Sequence, residues 1–194
     1  MDDDQQIVTL LPPPGEIQYE QYGPVINAKE EIENLQLEAD VDVFDDPELE
    51  ILAEKFEGKV TQVVEVNGSS ACLKFPCLCD LPQLVMHFKH VKAFTKVEVE
   101  VICSDKTKVI MIFRNNTTIA RIKDDGRELH LPLELVEGWN YLKFDLEDLL
   151  QSAFGKSLAR TTSVVVFGTC RLWRIYFQGE EYADAVLPVE LQVF

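Results

Sequence analysis

No stretch of the sequence approaches the roughly 20 consecutive apolar residues that a bilayer-spanning helix needs, although 46% of its residues are hydrophobic. The opening MDDDQQ lacks the basic-then-apolar pattern of a secretory leader, so the protein is expected to stay in the cytoplasm where it is made. Cysteine is scarce. The five present, Cys72, Cys77, Cys79, Cys103 and Cys170, are odd in number and argue against a disulfide framework; reduced thiols are expected. Basic residues are also short: 18 Lys and Arg against 34 Asp and Glu leave a net charge of −16. Nucleic acid and anionic membrane surfaces are repelled by such a chain, so neither is expected as a partner.

Catalytic signatures are missing too. There is no glycine-rich phosphate loop, no nucleophile elbow and no HExxH. Only His87, His90 and His130 titrate near neutrality in an ordinary environment, and none has a recognisable catalytic partner. Carboxylates abound, but nothing in their spacing opposes two across a cleft. Cys72, Cys77, Cys79, His87 and His90 bring soft ligands close together in sequence, yet Cys77-x-Cys79 is not a zinc knuckle. On a strand, His87 and His90 face opposite sides. No metal, no cofactor and no catalytic residue is expected; the chain reads as a binding protein.

What is present is unevenly spread. Residues 1–58 hold 17 acidic side chains against Lys29 and Lys55, a net −15, which leaves −1 for residues 59–194. The organisation expected is an acidic, proline-containing arm (1–58) followed by one nearly neutral domain (59–194). Within the arm, three consecutive prolines favour extended polyproline II, so no packed structure is expected there in isolation. Residues 28–39 have the makings of a weak helix. Residues 47–57 have those of a better one, with Asp45 and Asp46 to cap it, Pro47 in the first turn and Gly58 at its end. Leu49, Leu52 and Phe56 share a face of that short helix, which needs a surface to dock on, either its own domain or a partner.

Beyond Lys59 the pattern turns to short β-branched runs separated by turn residues. Strands are expected at 60–66, 71–75, 84–91, 96–103, 108–113, 118–122, 129–135, 140–146, 163–170 and 172–177, with Asn67-Gly68 as a tight reversal between the first two. One helix interrupts them, capped by Asp145 and stopped at Gly155. The fold class expected is all-β: an antiparallel β-sandwich of the jelly-roll type with one short covering helix and an arm containing one or two short helices.

Arg171, Trp173 and Arg174, with Tyr176, alternate only imperfectly with Leu172, Ile175 and Phe177. Arg and Trp together are hot-spot chemistry, so these three join Leu49, Leu52 and Phe56 as candidate protein-contact residues. Trp139, Trp173 and Tyr182 raise a second reading, a carbohydrate-binding module, which requires two coplanar aromatics on an exposed face.

The segments GWNYLKFDLEDLLQSAFG (138–155), TCRLWRIYF (169–177) and LPVELQVF (187–194) resemble the cilia- and flagella-associated protein twenty family, the Bug-type proteins of ciliary doublet microtubules. The residues that carry the likeness are Gly138, Trp139 and Asn140, then Phe154-Gly155, then Cys170, Arg171, Arg174, Tyr176 and Phe177, and finally Leu187-Pro188. Residues 81–101 resemble the family less distinctively. The resemblance implies a jelly-roll sandwich acting as a structural component at the inner junction of axonemal doublets or at the centriole and basal body. Implied partners are tubulin and other axonemal or centriolar proteins. The chain departs from the family in its acidic arm and net charge. Tubulin surfaces are acidic, so this chain is poorly suited to coat them broadly, and its arm is left to complete the sandwich or to reach a basic partner.

Overall fold

The computed structural model describes residues 6–11, 20–22, 25–31, 60–68 and 70–192. Among these residues eleven strands run in chain order: β1 (Ile7–Leu11), β2 (Glu20–Tyr22), β3 (Val25–Glu31), β4 (Val60–Val66), β5 (Cys72–Cys79), β6 (Gln83–Cys103), β7 (Lys108–Arg114), β8 (Arg121–Lys123), β9 (Glu128–Pro132), β10 (Gly138–Asp145) and β11 (Leu158–Gln178). Among the described residues one α-helix, α1 (Leu146–Phe154), follows β10. The all-β, sandwich-like class is the one expected. One pair departs from antiparallel: β7 and β9 run parallel, because β8 is placed on the far side of β9.

Two strands of 21 residues each, β6 and β11, organise everything else. Each was expected as two strands. The first half of β6 pairs with the second half of β11 (His90↔Cys170 through Gln83↔Gln178), and the second half of β6 pairs with the first half of β11 (Thr95↔Gly168 through Cys103↔Leu158). Between these blocks four residues of β6 face a single residue of β11, so both strands turn a corner and serve two layers. Lys92 (φ 55°) and Gly168 (φ 96°) take the left-handed backbone that the corner demands. Asn115 pins it: Oδ1 accepts from Thr95 N at 3.0 Å and Nδ2 donates to Ala93 O at 2.8 Å.

Alternation along the bent strands then builds one core. Leu84, Met86 and Phe88 from one half of β6 meet Val97, Val99 and Val101 from the other, together with Val164, Val166, Leu172, Ile175 and Phe177 of β11. Phe113 of β7 and Phe144 of β10 touch across the layers, ring centroids 4.2 Å apart. Each such side chain stabilises the fold by about 1.5–3 kcal/mol through burial.

Asn67-Gly68 does not reverse the chain. Val64–Val66 pairs with Leu172–Cys170, and Cys72–Cys79 continues in the same direction along the same edge of β11, from Phe167 to Thr161. The Asn-Gly pair is an excursion at the level of the corner: Gly68 N donates to Thr169 Oγ1 at 3.1 Å, and Gly168 N donates to Ala71 O at 3.1 Å. The partner strand bends there, so its neighbour must jog with it.

The arm adds strands to the sheet, the first of the two roles left open for it, at positions where the sequence offered polyproline II and short helices. β1 pairs with the end of β11 and buries Leu10 and Leu11 in the core. β2 adds to β5, and β3 takes the free edge of β4. Ala28–Glu31 therefore lie in a strand rather than a helix. Open backbone donors and acceptors on β4 and β11 capture an extended segment more strongly than a short, weakly amphipathic helix holds itself together. The remainder of 28–39 and the expected 47–57 helix, with Leu49, Leu52 and Phe56, lie outside the described residues.

Helix α1 is as the sequence predicts. Asp145 accepts from Asp148 N at 3.0 Å, a cap contributing about 1 kcal/mol, and Gly155 ends the helix at φ 63°. Leu146 and Leu150 are buried beneath it.

Candidate protein interface

A β-bulge on β11 creates the candidate site. Leu172 faces Phe88 and Arg174 faces His87, so two residues of β11 oppose one of β6 and Trp173 is the extra one. The bulge resets the alternation that looked imperfect in sequence. Leu172, Ile175 and Phe177 stay in the core, while Trp173 and Arg174 share the outer face. Neighbouring strands complete the cluster through their register: Tyr141 of β10 lies opposite His87, and Trp139 opposite Lys89.

The contacts are close. The Arg174 guanidinium carbon sits 4.2 Å from the Trp173 ring centroid, and Arg174 Nη2 is 3.3 Å from His87 Nε2. His87 packs on Tyr141 (4.6 Å between centroids) and on the edge of Trp173 (5.7 Å), and Lys89 Nζ lies 5.9 Å from the Trp139 ring. Arg171, the third candidate on this strand, turns to the neighbouring β4, where its Nε donates to Glu65 Oε2 at 2.8 Å.

Burial governs the electrostatics. His87 is pushed down to about 2, first by loss of solvent and then by the neighbouring Arg174 charge, so the imidazole is neutral. An arginine only donates, so Nε2 of His87 accepts and its proton sits on Nδ1. Arg174 itself is pulled down to about 10 by burial and stays protonated, aided by the charge of Asp184. Tyr176 is raised by burial, with Tyr141 adding to the effect.

Around this buried centre the surface is apolar and aromatic. Tyr141 is 52% exposed and Val136 67% exposed. Asn140 fixes the turn between them: Oδ1 accepts from Val136 N at 3.0 Å, and Nδ2 donates to Val136 O and Gly138 O at 2.9 and 2.8 Å. On the other flank the terminal segment returns over the same face, where Leu187 and Leu191 form a second small core with Val85 and Tyr176, and Tyr182 packs against it.

Other residues singled out in sequence are dispersed. His90 alternates with His87 on β6, and His130 lies on β9 with Nε2 2.7 Å from Glu128 Oε2. All five cysteines are free thiols, and burial pushes Cys77 and Cys170 up to about 12, far from the thiolate form. Among the described residues no group of three or more His, Cys, Asp or Glu is arranged to hold a metal ion. Trp139 and Trp173 meet at 70°, and Trp173 is only 7% exposed, so these two do not form the flat exposed platform a carbohydrate reading requires. Sequence reasoning missed Tyr141 and Lys89 as members of the site. The alternation GWNY was the available signal for Tyr141, but its apposition to His87 is a matter of register.

Comparison with known proteins gives a consistent answer. The family model described as the CFA20 domain matches residues 37–194. The Caenorhabditis elegans protein named Cilia- and flagella-associated protein 20 is 27% identical over 150 residues, covering 74% of this chain and 73% of its own length. Proteins of the same name from Chlamydomonas reinhardtii and Paramecium tetraurelia are 34% and 35% identical. The first covers 69% of this chain and 74% of the relative, and the second 59% of each.

Proposed function

Because the chain belongs to the CFA20 domain family, we propose that it is a non-enzymatic structural component of cilia or flagella that docks on axonemal or centriolar proteins through the outer face of β10, β6 and β11. Doublet microtubules, at a place like the inner junction, and the basal body are the settings this reading assigns, with tubulin or a neighbouring axonemal protein as the partner. The observation that supports it most directly is the aromatic-arginine cluster of Trp139, Tyr141, Trp173 and Arg174, in which Trp173 and Arg174 are buried and Tyr141 is exposed. Tryptophan, tyrosine and arginine in such a setting are the residues that carry binding energy at protein interfaces.

Charge distribution is compatible with this role. The −15 of residues 1–58 is separate in sequence from the near-neutral remainder that builds the face, so an acidic partner meets a surface without the repulsion that −16 spread evenly would impose. The test is fractionation of ciliated cells expressing the tagged chain. Retention on detergent-extracted axonemes through a salt wash is expected. Tyr141→Ala, a change at a half-exposed side chain, is expected to lower the retained fraction about tenfold, with an unchanged far-UV circular dichroism spectrum showing that the fold is kept. A wild-type chain that is diffuse and absent from axonemes would overturn the proposal.

A further inference from the structure

The geometry points to Arg174 as the receiving group for a carboxylate carried by the protein that docks on this face. This deepens the docking role proposed above and rests on it. Arg174 is 0% exposed, and of its donors only Nη2 has an acceptor, the neutral His87 imidazole at 3.3 Å. Nε and Nη1, which between them carry three N–H groups, have none. Among the described residues Arg174 forms no ion pair. Asp184 acts on it as a nearby charge without a hydrogen-bonded ion pair between the two.

Natural proteins place a buried guanidinium against a carboxylate because an uncompensated buried charge is among the most destabilising arrangements a fold tolerates. The contact with the Trp173 ring offsets part of that cost and no more. That ring covers one face of the guanidinium and leaves its edges, where a planar carboxylate makes two parallel hydrogen bonds, one to Nε or Nη1 and one to the second N–H of Nη2. Tyr141 and the terminal segment that carries Asp184 are neighbours of Arg174 that reach the surface. Tyr141 is 52% exposed, and in the terminal segment Ala183, Ala185 and Val186 are exposed, anchored by Leu187 and Leu191. A partner's Asp or Glu entering beside Tyr141 supplies the missing countercharge, meets an orphan donor and desolvates the pair, which makes it a strong anchor point.

The experiment uses the full chain and two probes, a hexaglutamate and a hexaglutamine peptide, followed by tryptophan fluorescence at about 0.15 M salt. Lys89, Lys92 and Lys143 lie on the same face and can attract polyglutamate without Arg174, so the comparison with Arg174→Met assigns the preference. The expected result is hexaglutamate binding at least about tenfold tighter than hexaglutamine, and loss of that preference in Arg174→Met with the thermal midpoint unchanged or raised. Equal binding of the two peptides by the wild-type chain overturns the inference whether or not the variant folds, and so does a preference that survives in Arg174→Met. The two readings fail separately. Axoneme retention that depends on Tyr141 without a glutamate preference removes only the carboxylate site, whereas a glutamate preference without axoneme retention removes only the ciliary docking role.

Discussion

Gly168→Ala is expected to destabilise the fold by about 3–5 kcal/mol, enough to consume a large part of the stability of a domain this size. Two effects add. Gly168 sits at φ +96°, a conformation that an L side chain adopts only under strain, and a Cβ built there lies 2.0 Å from the carbonyl oxygen of Phe94. That atom is backbone, in the stretch of β6 that turns the corner, and Asn115 holds the carbonyl of Ala93 and the amide of Thr95 on either side of it. Relief therefore requires both long strands to move apart where they share the bend. Equilibrium urea unfolding checks the figure, and a loss under about 1 kcal/mol would show that the corner adapts freely.

Acidification is expected to weaken the fold well above the range in which carboxylates titrate. The folded chain holds His87 neutral down to about 2, whereas an unfolded histidine takes up its proton near 6.5. Below that value the unfolded state binds the extra proton, so stability falls as pH falls. The loss is about 1.4 kcal/mol per pH unit, or roughly 2 kcal/mol between pH 6.5 and 5 from His87 alone. His90, lowered chiefly by burial, adds in the same direction. Glu100 is also held below its ordinary value, where its hydrogen bonds to Lys108 and Thr162 outweigh the desolvation that opposes them, but its contribution is lost only below about 4.5 and lies outside this window. His87→Gln keeps an acceptor for Arg174 and removes the titration, so its stability should be flatter over the same interval. An unchanged slope in the variant would assign the acid sensitivity elsewhere.

Local sequence was informative where local chemistry decides. Helix α1, with Asp145 to begin it and Gly155 to end it, and strands β4, β7 and β10 follow from capping and alternation, because each element satisfies itself or buries one face. The long strands did not follow. Residues 84–91 and 96–103 show the same period whether they are two strands or one bent strand, and only pairing with β11 across Gly168 distinguishes the two. Asn67-Gly68 carries the chemistry of a reversal, yet its neighbours continue along a common edge, since the partner strand and not the turn dictates direction. The parallel approach of β9 to β7 is equally non-local.

The site was half legible for a related reason. Arg171, Trp173 and Arg174 stand out by composition, but the bulge that turns Trp173 and Arg174 to one face and leaves Arg171 to Glu65 is a feature of register. Complete burial of Arg174 also runs against composition, which places arginine at the surface. His87, conspicuous as a candidate base, proves to be a neutral acceptor for that arginine.

Lysine footprinting of the chain free in solution and bound to isolated axonemes tests the docking face most directly. Lys89, Lys92 and Lys143 flank the aromatic cluster on β6 and β10, whereas Lys106 and Lys123 are exposed on the other layer. The account predicts that the first three lose reactivity on binding and the last two keep theirs. Protection of Lys106 and Lys123 with Lys89, Lys92 and Lys143 unchanged would contradict it.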